Sequence, residues 1–103
     1  MNTPIRILIA DDHAVVRVGL FTVLSLTPGF EIVGEASNGK QAVRRAKELK
    51  PDVVIMDLQM PVMSGVDATA ALVRELPETR VLILTTYGFS EDIAQVLQAG
   101  ARG

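Results

Sequence analysis

Asp52 Val53 Val54 Ile55 Met56 Asp57 is the stretch on which the fold turns. Four consecutive apolar residues between two acids give no in–out alternation, so both faces of the segment must be covered, and such a run belongs at the centre of a parallel sheet. A second run, Ile5 Arg6 Ile7 Leu8 Ile9 Ala10, has the same character and ends in the pair Asp11 Asp12. Placing the two runs side by side as parallel strands brings three carboxylates to one edge of one sheet. Like charges that close oppose one another and the folded state, and a divalent cation relieves them. The pattern therefore predicts a metal site with one carboxylate kept for reaction.

The rest of the chain follows outward from these two strands. Val15, Val16, Gly19, Leu20, Val23 and Leu24 fall at helical spacing until Pro28 Gly29 interrupts them. Phe30 to Ala36 is predicted as a strand, with Glu31 and Glu35 polar enough for an edge position. Asn38 Gly39 marks a turn and a candidate cap. The helix beyond carries Ala42, Val43, Ala46 and Leu49 on one side and Lys40, Arg44, Lys47 and Lys50 toward solvent, and Arg44, Arg45, Lys47 and Lys50 are taken as a solvated face rather than a docking patch. Val66 to Leu76 is predicted as a third helix, ended by Pro77, with Gly65 relieving backbone strain at its entrance. Arg80 to Thr85 is predicted as a fourth strand. Ser90 follows as an N-cap, with Glu91 and Asp92 in the first turn, Ile93, Val96 and Leu97 on the buried side and Gly100 as the stop.

Four strand–helix units in succession predict a doubly wound α/β sandwich with a parallel sheet, because each crossover is right-handed and both sheet faces need cover. Ligands in such sheets bind outside the carboxyl ends of the strands. Asp11, Asp12, Asp57 and Thr85 all fall there. Either acidic segment alone is an ordinary turn feature; their joint placement is what makes a site.

Composition narrows the function classes. The chain has 103 residues, 49% of them hydrophobic, and a formal net charge of −2, which suits one compact domain and offers no basic stripe for gripping nucleic acid. It holds no cysteine, hence no disulfide frame and no thiolate metal site, and is compatible with a reducing cytoplasm. No apolar stretch approaches the roughly 20 residues that cross a bilayer. A single histidine, His13, rules out a histidine-rich metal site and is expected to be exposed and incidental. Magnesium takes oxygen ligands and keeps several waters, so Asp12 and Asp57 are predicted to ligate directly, Asp11 through water, and the Gln59 carbonyl as a further ligand. An oxygen of Asp57 then faces an electrophilic phosphorus, with the Thr85 hydroxyl placed to donate to a phosphoryl oxygen. Thr86 is read as controlling access, and Tyr87 either gates the site or packs outside it.

Ile9 Ala10 Asp11 Asp12 His13, then Val54 to Pro61 with Gly65, then Leu82 Ile83 Leu84 Thr85, then Ala99 Gly100 Ala101 Arg102 Gly103 resemble the receiver domain of bacterial two-component response regulators. The opening and closing words are most similar to the subfamily that carries a C-terminal helix-turn-helix (LuxR-type) DNA-binding domain. The resemblance implies a flavodoxin-like receiver topology with strand order 2-1-3-4. It implies Asp57 as phosphoacceptor for a histidine kinase, Asp11 and Asp12 as the acidic pair for Mg2+, and Thr85 as the switch hydroxyl. It also implies a signalling phosphoacceptor rather than an enzyme, located in the cytoplasm. Self-association would run through the fourth helix region or the fourth strand, and DNA contact only through the C-terminal domain. The family's fifth strand, with its lysine, would fall after residue 103, so residues 1–103 are expected to be a truncated receiver domain. An aspartyl-nucleophile phosphatase dependent on metal is the alternative, although it would want a second acid where Gln59 stands; an interaction-only module is the third reading.

Overall fold

The computed structural model describes residues 3–58 and 60–84. Strands β1 (Ile5–Ala10), β2 (Phe30–Ala36), β3 (Val53–Asp57) and β4 (Arg80–Leu84) alternate with helices α1 (Ala14–Ser25), α2 (Gly39–Leu49) and α3 (Gly65–Glu75). The strands form one parallel sheet in the order β2-β1-β3-β4, as expected, with β2 at an edge. The helix expected around Ile93 to Leu97 and the Ser90 cap lie outside the described residues.

The two apolar runs pair in register, Ile7 with Val53 through Ala10 with Met56. Alternation then sorts side chains onto the two faces. Leu8, Ala10, Val54, Met56 and Val81 enter one continuous core with Ala42 and Ala46 of α2 and Ala68 and Leu72 of α3. Alanines at those helical positions let the helices approach the sheet closely, and Val43, Leu49 and Leu76 close the rim of the cluster. Ile7 and Ile9 point to the other face and are also buried.

Local signals explain the helix ends. Asn38 caps α2, its side chain accepting from the Gln41 backbone N–H at 2.8 Å, and Ser64 caps α3 in the same way through Asp67 N–H at 3.2 Å. Gly29 stands at φ +90°, a conformation L side chains rarely adopt, so the break after α1 needs that glycine.

Helix α1 departs from expectation. No residue of α1 is fully buried. Val16, Leu20 and Leu24 are half-buried, whereas Val15, Gly19 and Val23 are exposed, Val15 at 84%. The covered stripe is thus the single i, i+4, i+8 row, narrower than the two-row stripe that periodicity predicts. Arg45 departs from the solvated face as well: it is half-buried, and its Nε is buried.

Candidate functional site

The site is a consequence of sheet register. Because Ala10 pairs with Met56, the next residues, Asp11 and Asp57, leave the carboxyl ends of neighbouring strands together. Both share the parity of Ile7 and Ile9 in one strand and Val53 and Ile55 in the other, so they emerge on one side. One ligand atom from each of Asp11, Asp12, His13 and Asp57 lies within 4.8 Å of the others. The convergence inferred from two apolar runs is present, and the histidine has joined it.

Asp11 is the inner member, 4% exposed. Its N–H donates to the Ala36 carbonyl at 3.0 Å, and its carbonyl accepts from Arg17 Nη1 at 2.7 Å. Arg17 in turn lies 3.4 Å from Glu35, so the end of β1 is tied to the end of β2 through the first turns of α1. The Asp11 carboxylate accepts the His13 backbone N–H at 2.8 Å. Asp12 is more open, its side chain 30% exposed.

His13 is exposed, as expected, but it is not incidental. Its Nδ1 lies 3.0 Å from Asp11 Oδ1 and 2.9 Å from Asp12 Oδ1. The hydrogen bond with Asp11, followed by the charge of Asp12, raises the imidazole pKa above its ordinary value. When protonated, that one ring sets positive charge against both carboxylates. The signal was local: a histidine directly after two acids, at the turn into a helix.

On the far side, backbone packing fixes the loop that follows Asp57. Gly65 N–H donates to the Leu58 carbonyl at 2.9 Å, and a Cβ on Gly65 would stand 2.1 Å from the Asp57 carbonyl oxygen. Close approach, rather than the relief of strain expected from sequence, is what Gly65 provides. Gly39 does the same for α2, its N–H donating to the Met63 carbonyl at 3.0 Å where a Cβ would meet that oxygen at 2.1 Å. The strained residue of this loop is Val62, a β-branched side chain at φ +70° and 77% exposed. No sequence signal pointed to it.

The donor set suits a hard divalent cation: three carboxylates from two adjacent strand ends, with solvent access at Asp12 for retained waters. Thr85, Thr86, Tyr87 and Gln59 lie outside the described residues.

A parallel sheet ordered β2-β1-β3-β4 with an acidic pocket at its carboxyl edge defines a receiver-type domain. The model of the response regulator receiver domain matches residues 7–103, and the chain belongs to that family. It is 44% identical over 97 residues to the transcriptional regulatory protein LiaR of Bacillus subtilis, an alignment covering 94% of this chain and 46% of LiaR. Among solved structures, it matches a LuxR-family two-component response regulator from Aurantimonas sp. SI85-9A1 with TM-score 0.90 and 34% identity, over 96% of this chain and 71% of that one. The CheX–CheY–BeF3–Mg2+ complex from Borrelia burgdorferi matches with TM-score 0.86 and 28% identity, over 97% and 75%. The chain spans about half the length of the curated relatives it matches. Its homologues are LuxR-type response regulators, and receiver domains as a family are signalling modules that bind Mg2+ at an acidic pocket and interact with histidine kinases. Among the described residues, no helix is long and apolar enough to cross a membrane.

Proposed function

We propose that this chain is the phosphoaccepting receiver of a two-component transcriptional regulator, with Asp57 taking a phosphoryl group from a histidine kinase. The observation that carries the reading is the meeting of Asp11, Asp12 and Asp57 within 4.8 Å at the carboxyl edge of the sheet. An oxygen of Asp57 attacks phosphorus as the phosphorus–nitrogen bond of a phosphohistidine breaks, leaving an acyl phosphate on Asp57 and a kinase imidazole that regains its proton from solvent. Asp11, Asp12 and Asp57 would hold Mg2+, which when bound would offset negative charge on the transferring oxygens. The Borrelia complex contains BeF3 and Mg2+, which makes the same pair of ligands the natural probe for this pocket.

The Gln59 carbonyl is proposed as a further metal ligand and the Thr85 hydroxyl as the group that senses the phosphoryl oxygens. Both assignments rest on sequence position. Modification would add roughly two negative charges at the carboxyl end of β3, and the Thr85 hydroxyl and the segment that follows it are proposed to respond to them. That segment is proposed to alter self-association, and the transcriptional output to lie in the portion of the relatives that this chain does not span. A cytoplasmic location belongs to the same proposal.

Acetyl phosphate with Mg2+ is expected to label the wild-type chain, and Asp57→Asn to abolish labelling. Labelling of Asp57→Asn at the full rate would overturn the assignment.

A further inference from the structure

We propose that His13 is a metal ligand of the acidic pocket, making it a mixed oxygen–nitrogen site that holds Zn2+, Co2+ or Ni2+ through Nδ1 while Mg2+ is held through oxygens alone. The inference rests on the reading that Asp11, Asp12 and Asp57 take a divalent cation. What is new is the nitrogen. Magnesium selects oxygen donors, whereas imidazole suits zinc, nickel and related ions, so one side chain changes which metals the pocket accepts.

The geometry is specific. With bonds of about 2.1 Å, neighbouring ligand atoms stand about 3.0 Å apart around a six-coordinate ion and about 3.4 Å apart around a tetrahedral one such as zinc. His13 Nδ1 lies 3.0 Å from Asp11 Oδ1 and 2.9 Å from Asp12 Oδ1, so the nitrogen has the spacing of an adjacent ligand for a six-coordinate ion and lies within about half an ångström of it for a tetrahedral one. The Asp11 carboxylate is also held in place, since the His13 backbone N–H donates to its Oδ1 at 2.8 Å. Little ordering remains to be done when an ion arrives, and weak ordering costs favour binding. Exposure of the side chain, 67%, lets a hydrated ion reach the nitrogen without opening the core. The competing role for the same contact is a counter-charge: an imidazolium that bridges the carboxylates and leaves when any cation enters. The two roles differ in whether the ring follows the metal or is displaced by it.

His13 is the only histidine, so the ring nitrogens of the full chain give a single pair of NMR signals that report this pocket alone. At one fixed, mildly alkaline pH, saturating Zn2+ is expected to move the Nδ1 signal as direct bonding does, while Mg2+ binds without placing metal on the ring. His13→Gln is expected to weaken Zn2+ binding by about tenfold or more, measured by competition with a chromophoric indicator, and to weaken it far more than Mg2+ binding. Asp12→Asn is expected to remove the ring's response at the same Zn2+ concentration. A Zn2+ response that persists in Asp12→Asn would mark an isolated surface histidine and overturn the inference, as would equal Zn2+ affinity in His13→Gln. Failure of the wild-type chain to bind Mg2+ is a different result: it removes the cation pocket itself, and this inference with it.

Discussion

The two faces of the sheet are held by different means. On one, α2 and α3 press small residues onto the strands, and Ala42, Ala46, Ala68 and Leu72 are fully buried together with Leu8, Val54 and Met56. On the other, Ile7 and Ile9 are buried, yet α1, which lies against β1 and β2, buries no residue of its own completely, and Val15, Val18, Val23 and Leu26 stand exposed. What ties the start of α1 to the sheet is polar: Arg17 on the Asp11 carbonyl and on Glu35, and His13 on two carboxylates. The α2–α3 face supplies rigidity to the strand ends, while the α1 face delivers charged groups to the site. A domain that must position carboxylates within a few ångströms gains from having one face that does not yield.

The largest effect expected from this difference comes from matched truncations on the two faces. Leu72→Ala removes a fully buried side chain from the α2–α3 core and is expected to cost about 2–5 kcal/mol in denaturant unfolding. Val18→Ala, 63% exposed on α1, is expected to change stability by no more than about 0.5 kcal/mol. Equal losses from the two variants would show that the faces are not distinct.

Gly65→Ala probes where the packed face meets the site. The added Cβ would stand 2.1 Å from the Asp57 carbonyl oxygen, a backbone atom that cannot rotate away, so α3 or the end of β3 must shift. A cost of about 1–3 kcal/mol is expected, accompanied by weaker Mg2+ binding because Asp57 moves with its own backbone. Loss of stability with Mg2+ affinity unchanged would separate the packed face from the site. Val62 provides the opposite sign in the same loop. Its φ of +70° is unfavourable for a β-branched residue, and Val62→Asn is expected to gain about 1 kcal/mol in thermal or denaturant unfolding. Destabilisation there would mean that the exposed valine is held by packing after all.

Much of this was legible in the sequence, and the parts that were not have physical reasons. β1 and β2 begin and end where expected, at Ile5–Ala10 and Phe30–Ala36, because turn-forming residues flank both, Pro4 and Asp11 around the first and Gly29 and Ser37 Asn38 around the second. The meeting of Asp11, Asp12 and Asp57 followed from the two apolar runs, since parallel neighbours place their carboxyl ends together. The covered row of α1 did not follow. Periodicity says which residues are apolar, but cover depends on what lies opposite, and α1 spends only Val16, Leu20 and Leu24 on the sheet. The reason for Gly65 was hidden for a related cause: a glycine that permits close approach and a glycine that permits a rare φ look the same in a sequence. His13 escaped although its signal was local: Asp11 and Asp12 directly precede it, but the turn that lays its ring against both is a matter of backbone conformation rather than of residue type.

The smallest expected effect concerns that polar attachment of α1. His13 is the N-cap position of α1 but makes no side-chain cap bond; its ring is engaged with Asp11 and Asp12 instead. Its pKa is raised first by the hydrogen bond with Asp11 and then by the charge of Asp12, so the folded chain holds the imidazole proton more tightly than the unfolded chain does. The stabilisation is therefore complete below the ordinary value of about 6.5 and is lost as pH rises through the higher folded value. In metal-free buffer, the ring signals of His13 are expected to titrate with a midpoint above about 6.5, and Asp12→Asn to move that midpoint down. The stability difference between wild type and His13→Gln should be widest in mild acid and shrink with rising pH. A gap that widens toward alkaline pH would mean that neutral imidazole is the favoured form, and that α1 is anchored through Arg17 alone.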